Sequence, residues 1–140
     1  EGTPWGMRRE MLVSNLGAPC NAPPWGTMHA VDLTTGDLRW SVPIGDVPLL
    51  GTWGLPNLGG PLVTETGLVF LAATFDSDFR AFDIETGEVL WKTSLPAGGQ
   101  AVPMTYQVGD RQIVVIAAGG YGGLPIDMGD SLVAFALPVD

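Results

Sequence analysis

The feature that most limits how this chain can fold is an internal repeat. AVDLTTGDLRW at residues 30–40 and AFDIETGEVLW at 81–91 share the pattern A-x-D-x-x-T-G-x-x-x-W. Asp83 follows Asp32, Gly87 follows Gly36 and Trp91 follows Trp40, each at the same interval of 51 residues. A fixed interval of that size marks a structural unit that stacks against copies of itself. The pattern also has a local physical reading. Asp32 and Asp83 end a strand, where a carboxylate accepts hydrogen bonds from backbone N–H groups two or three residues on. Gly36 and Gly87 supply the positive φ that Thr or Glu would resist. The next strand starts at Asp37 or Glu88 and carries Trp40 and Trp91 on one face, at equivalent places.

Composition supports strands rather than disorder. The chain has 20 Gly and 12 Pro, yet 46% of it is apolar. The apolar residues fall in short β-branched and aromatic runs, so Gly and Pro read as turns between strands. Strands are expected at roughly 27–33, 37–42, 61–65, 68–73, 79–84, 88–94, 101–107, 112–118 and 131–137. Turn residues separate them: TTG at 34–36, ETG at 65–67 and 85–87, and GD at 109–110. No segment shows a helical period, so the fold class is all-β, a meander of antiparallel strands. Four strands lie within 59–94. The 27–42 pair reads as the end of a preceding unit, and 95–138 as a further, mostly complete one. A four-stranded antiparallel unit repeating in this way is a β-propeller blade.

Charge and motifs exclude several functions. The net charge is −9 with only six basic residues, so no phosphate-binding surface is present and nucleic acid is not an expected partner. No run approaches the ~20 apolar residues of a membrane helix. No signal-peptide pattern opens the chain, which begins on Glu1; the expectation is a piece of something longer, with its targeting information elsewhere. Dinucleotide fingerprints, P-loops and G-x-S-x-G elbows are absent. Cys20 lies in the Pro-rich APCNAPPWG and reads as a free, partly buried thiol, or else as half of a disulfide to an upstream Cys. His29 has no nearby ligand set, which argues against a metal site and for a solvent-facing or strand-facing side chain. Asp127 and Asp130 share a loop where carboxylates are usually solvated, so no metal ligand is assigned.

Three further stretches carry a resemblance: GAPCNAPPWGTMHAVDL (17–33), WGLPNLGGPLVTETGLVFLAAT (53–74), and LPAGGQAVPMTYQVGDRQIVVIAAGGYGG with MGDSLVAFALP (95–138). Together with the Trp repeat, they resemble the C-terminal part of the membrane-bound glucose/quinate/shikimate quinoprotein dehydrogenases, which use pyrroloquinoline quinone (PQQ). The resemblance covers residues ~12–140 and makes 1–140 a single C-terminal fragment of an eight-bladed propeller. It implies a PQQ lying flat near the propeller axis on a calcium ion, a sugar or cyclitol as substrate, and ubiquinone as acceptor. It also implies a location on the periplasmic side of the inner membrane. The calcium ligands and the catalytic base are expected outside this fragment, so none is assigned here. In the family the repeat is a tryptophan-docking motif, in which an indole packs on the next blade beside the small Ala30 or Ala81. The alternative is a non-catalytic Trp-motif propeller that scaffolds protein assembly; the PNLGGP and LPAGGQAVPMTY stretches favour the enzyme.

The resemblance also selects candidate site residues. Asn57 and Leu58 precede an innermost strand in a loop that reaches PQQ in the family. An amide donates to and accepts from a quinone carbonyl or carboxylate, and Gly59 and Gly60 let the backbone approach closely. The bland alternative is that Asn57 caps a turn after Pro56. Asp76 either faces the active-site mouth or caps a hairpin; the family pattern A-T-x-D-N-Y-L-R-A has Asn where this chain has Ser77. Tyr121 stands where the family shows the His of AGGHG. A phenol also donates a hydrogen bond but ordinarily titrates near ~10, far above an imidazole. Either substrate preference differs, or this loop only closes the blade. The family's Lys before the residue equivalent to Met128 is also missing. Cut from its propeller, the fragment would leave blade faces in water and is expected to self-associate.

Overall fold

The computed structural model describes residues 2, 4–8, 10, 12–123 and 125–138. It contains eleven strands and, among the described residues, no helix. β1 (Thr27–Val31) and β2 (Leu38–Pro43) form an antiparallel pair. β3 (Asp46–Val47) and β4 (Gly51–Thr52) form a small hairpin. β5 (Leu62–Val63), β6 (Leu68–Leu71), β7 (Asp78–Asp83) and β8 (Val89–Ser94) make a four-stranded antiparallel sheet in sequence order. β9 (Met104–Val108), β10 (Arg111–Ala118) and β11 (Ser131–Ala136) make a three-stranded one with β10 in the middle.

The inner strands of the four-stranded sheet, β6 and β7, are buried on both faces. Side chains alternate across a strand, so Val69, Leu71 and Phe82 face the β1–β2 pair, where they pack with Ile44, Ala73, Met28 and Val42. Ala72 and Phe79 point the other way, into a cluster with Leu95, Val114, Ile116, Ala118 and Phe135 from the third sheet. This is why β6 reads as an uninterrupted apolar run, LVFL, instead of alternating. Phe79 and Phe82 are among the largest fully buried side chains, each stabilising the stack by roughly 1.5–3 kcal/mol.

The repeated motif has one geometry in both copies. Ala30 lies directly opposite Trp40, and Ala81 opposite Trp91. A register shift follows each Ala, after Ala30 and after Ala81. Asp32 Oδ1 accepts from the N–H groups of Thr34 and Thr35, and Asp83 Oδ1 from those of Glu85 and Thr86. Gly36 and Gly87 close the turns at φ 80° and 73°, each donating its N–H to the carbonyl of that Asp. Each indole then reaches the following sheet. Trp40 Nε1 donates to the Ile84 carbonyl at 2.8 Å, and its ring covers Gly87, where a Cβ would sit 2.8 Å from Cε3. Trp91 meets Phe135 edge-on at a centroid distance of 5.2 Å, and Phe79 at 5.9 Å. The two differ because AFALP at 134–138 contains no T-G turn for Trp91 to rest on.

Three expectations need correcting. The β3–β4 hairpin is a short excursion in VPLLGTWG, which has no period-2 run to announce it. The strand expected from 101 starts at Met104, since the preceding Gly98–Gly99 segment is a packed connection. Cys20 is exposed, not partly buried, because no sheet covers the irregular stretch before β1.

The matched turns allow a controlled comparison. Gly36→Ala should cost about 1–2 kcal/mol for the left-handed backbone alone, because nothing lies within 4 Å of its Cβ position. Gly87→Ala should cost a further ~1–3 kcal/mol for displacing the Trp40 ring. Urea denaturation of the two variants measures the difference; equal losses would deny the indole contact.

Candidate functional site

Antiparallel strands send alternate connections to opposite ends, which sorts this chain's loops into two sets. The T-G turns at 34–36, 65–67 and 85–87 lie at one end. The connections at 44–61, 72–77, 95–103 and 119–130 lie at the other, and they contain every residue selected for chemistry. These four segments touch. Asn57 bridges Thr74 as an isolated antiparallel pair. Gly59 packs so closely that a Cβ there would be 2.5 Å from Ala73 Cβ and 2.8 Å from the Gln100 carbonyl oxygen. Gly98 donates its N–H to the Asp127 carbonyl and accepts from Gly120 N–H. PNLGGP, PAGGQA and AGGYG, far apart in sequence, thus form one continuous rim.

Asn57 is half-buried in that rim, and its amide has no hydrogen-bond partner among the described residues. Leu58 is exposed. Both polar atoms of the Gln100 side chain are buried and likewise unpartnered among the described residues; sequence reasoning passed over this residue. Tyr121 is half-exposed on the AGGYG loop. His29 is exposed and shares a 2.8 Å hydrogen bond with Thr27 Oγ1.

Asp76 is not at an open mouth. Its carboxylate is only 9% exposed and is fully engaged. Oδ1 accepts from Thr74 Oγ1 at 2.6 Å, from Asp78 N–H at 3.1 Å and from Arg80 Nη1 at 3.2 Å. Oδ2 accepts from Arg80 Nη2 and from Asp46 N–H. Arg80 also reaches Asp46 and Asp78, and Lys92 bridges the same two carboxylates at 2.9 and 3.4 Å. Oxygens of Asp46, Asp76 and Asp78 lie within 4.8 Å of one another, and the guanidinium and ammonium are their counter-charges. D-x-D-x-R at 76–80 was visible in the sequence, but Asp46, 30 residues earlier, was not predictable from it. Ser77, between the two aspartates, has φ 57°. Asn tolerates that region better than Ser.

The charges set the titration of this cluster. Thr52 Oγ1–H and Lys92, followed by Arg80, hold the Asp46 carboxyl at about 2. Burial pushes the Asp76 carboxyl up, but the bonds from Arg80, Thr74 and Asp46 N–H together leave it below the usual range. The Asp46 bond raises Lys92.

Stacked antiparallel sheets bound together by recurring indoles, with glycine-lined connections gathered at one end, define a fragment of a β-propeller. The chain belongs to the PQQ-dependent glucose/ethanol/alcohol dehydrogenase β-propeller family, whose profile matches residues 1–114. It is 44% identical over 149 residues to the quinoprotein glucose dehydrogenase of Escherichia coli, covering 99% of this chain and 19% of that protein. It is 42% identical to the quinate/shikimate dehydrogenase (quinone) of Acinetobacter baylyi, covering 98% and 18%. Among solved structures, the quinohemoprotein alcohol dehydrogenase of Comamonas testosteroni matches with a TM-score of 0.57 and 31% identity, over 75% of this chain and 14% of that one. The chain thus spans about a fifth of the length of its curated relatives.

The rim fits one edge of PQQ. The half-buried Asn57 amide, unpaired among the described residues, matches a ring bearing carbonyl and carboxylate oxygens, while the Gln100 amide is enclosed by protein and Gly59 lets the loop pack against Ala73 and Gln100. The donors are neutral, since Arg80 and Lys92 are committed to carboxylates.

Asp46 and Asp76 have depressed folded-state pKa values. Their stabilisation is therefore full above the unfolded carboxylate value of about 3.9. It is lost as pH falls from there toward about 2, the Asp46 value. Near-UV circular dichroism of the Trp25–Trp53 pair, whose rings stand 5.9 Å apart and in which Trp53 follows Thr52, the donor to Asp46, should report the loss. Asp46→Asn should weaken that pH dependence; an unchanged acid profile would contradict the assignment.

Proposed function

We propose that this chain is the C-terminal part of a PQQ-dependent dehydrogenase that oxidises a sugar or cyclitol of the glucose, quinate or shikimate type. The enzyme works on the periplasmic side of the inner membrane, to which it is attached by segments outside this chain, and passes electrons to ubiquinone. The observation that carries this reading is the meeting of PNLGGP, PAGGQA and AGGYG in one rim with unpaired amides. The named activities of the relatives support it. Family membership removes the ground for the scaffold alternative.

In this reading 59–94 is one complete blade, 27–42 closes the preceding one and 95–138 forms most of the next. Trp40 and Trp91 are the docking residues between blades. Asn57 holds an edge of the cofactor through its amide, Leu58 offers an apolar wall, and Gly59 lets the loop pack against Ala73 and Gln100. When bound, PQQ supplies the two-electron acceptor for the substrate's carbinol. Tyr121 lines the substrate side as a neutral hydrogen-bond donor. Asp76 supports the rim from behind, because both its oxygens are occupied. Calcium ligands and the general base come from other parts of the propeller.

The intact protein, supplied with PQQ and calcium, should retain quinone absorbance and reduce a dye with glucose, quinate or shikimate. Asn57→Ala should weaken PQQ retention about tenfold, the equivalent of one hydrogen bond of ~1–1.5 kcal/mol. Absence of both retention and dye reduction with every polyol would overturn the reading.

The 140 residues alone should be inactive and self-associating. A cleft of about 860 Å³ between the four-stranded and three-stranded sheets is lined by Leu90, Trp91, Phe135 and Leu137, and the outer edge of β11 has no strand partner among the described residues. Size-exclusion chromatography should give oligomers; a stable monomer would contradict this.

A further inference from the structure

One guanidinium holds the start of an excursion directly and reaches its end through Thr74. After β2 the chain leaves the sheets at Ile44, makes the β3–β4 hairpin and returns at Asn57. Arg80, with a side chain 5% exposed, sits beneath it on β7. Its Nη2 donates to Asp46 Oδ2 at 3.1 Å, where the excursion begins. Its Nη1 donates at 3.2 Å to Thr74 Oγ1, and Thr74 is the bridge partner of Asn57, where the excursion ends. Asp76 lies between the two, taking Arg80 on one side and the Asp46 N–H at 2.6 Å on the other. Thr52 Oγ1, on the returning arm of the hairpin, donates to Asp46 Oδ1 at 2.6 Å, so the latch holds both arms.

The foot of the excursion is stiff. Leu55 N–H bonds the Ile44 carbonyl at 2.6 Å, and Gly54 N–H bonds that of Gly45 at 3.2 Å. A Cβ on Gly54 would lie 2.3 Å from the Gly26 carbonyl oxygen, so no slack remains between the crossing backbones. A loop so closely packed at its base moves as a unit, and the groups that pin it determine where Asn57 stands. A planar fork with five donors suits this task, since it serves Asp46 and Thr74 at once from fixed directions. An ammonium is a point charge on a flexible stem and cannot span both. Lys92 illustrates the difference: it reaches Asp46 from the exposed side and touches nothing of the Asn57 end.

We propose that Arg80 is a positioning residue for the cofactor rim: through Asp46 and Thr74 it closes the 46–57 loop onto the four-stranded sheet and sets the Asn57 amide in place. This deepens the reading given above and rests on it. The role is separate from the chemistry, because Arg80 is enclosed by Asp46, Asp76, Asp78 and Thr74 and faces none of the rim's open groups.

The test uses the intact protein as wild type, Arg80→Lys and Asp46→Asn, with amide hydrogen exchange and PQQ titration at low and high salt. Arg80→Lys should raise exchange across 46–58 about tenfold while β6, β7 and β10 stay protected. It should raise the PQQ dissociation constant about tenfold and leave kcat at saturating PQQ within about twofold. Asp46→Asn should act in the same direction and also flatten the salt dependence of loop exchange. If Arg80→Lys loses protection throughout the sheet, Asp46→Asn decides, since it leaves the Arg80–Asp76 pair intact. Unchanged loop exchange in Asp46→Asn would overturn the latch. Faster loop exchange with unaltered PQQ affinity would overturn the positioning role. A wild type that binds no PQQ would overturn the cofactor reading instead, and loop exchange would then judge the latch alone.

Discussion

The four-stranded sheet presents apolar side chains on both faces, and in water such a sheet is stable only between two others. Val69, Leu71 and Phe82 need the β1–β2 pair; Ala72 and Phe79 need the third sheet. The remaining architecture follows from this requirement. Neighbouring sheets must lie face to face, which brings the ends of their connections together in rows. One row consists of tight T-G turns whose backbone groups are satisfied locally by Asp32 and Asp83. The other is free to be long, and the glycine-rich segments gather there.

Stacking alone does not fix how the sheets are turned relative to one another. Trp40 adds that specificity through one hydrogen bond to the Ile84 carbonyl and one ring contact over Gly87. At the opposite end Arg80 does corresponding work by ionic means, tying the β3–β4 hairpin to the sheet. The first contact depends on shape and tolerates exposure. The second depends on charge held away from water, where removing one partner strands the others. A stack pinned at both ends by different physics can keep its rim steady even where the rim itself contributes few contacts.

The parts of the molecule legible in the sequence were those governed by short-range rules. Ala30 opposite Trp40 and Ala81 opposite Trp91 follow from period-two strands and a turn of known length. The rim was legible through resemblance, because PNLGGP and LPAGGQA are long and unusual strings. Asp76 was noticed, but its surroundings were not: three of its hydrogen-bond donors lie within four residues, while the fourth, Asp46 N–H, arrives from 30 residues away. Gln100 gave no signal, since a buried, unpaired amide is a property of its surroundings and not of its neighbours in the chain.

The sequence by itself determined the all-β class, the repeating unit, the turn chemistry and the family, because each depends on the order of residues over a dozen positions or fewer, or on strings of that length. Only the tertiary structure decided that Asp76 is buried in an ionic cluster, that one guanidinium reaches both Asp46 and Thr74, the bridge partner of Asn57, and that Trp91 meets Phe135 where Trp40 meets a glycine turn. These depend on contacts across tens of residues, and chain periodicity cannot specify which distant carboxylate will complete a buried cation.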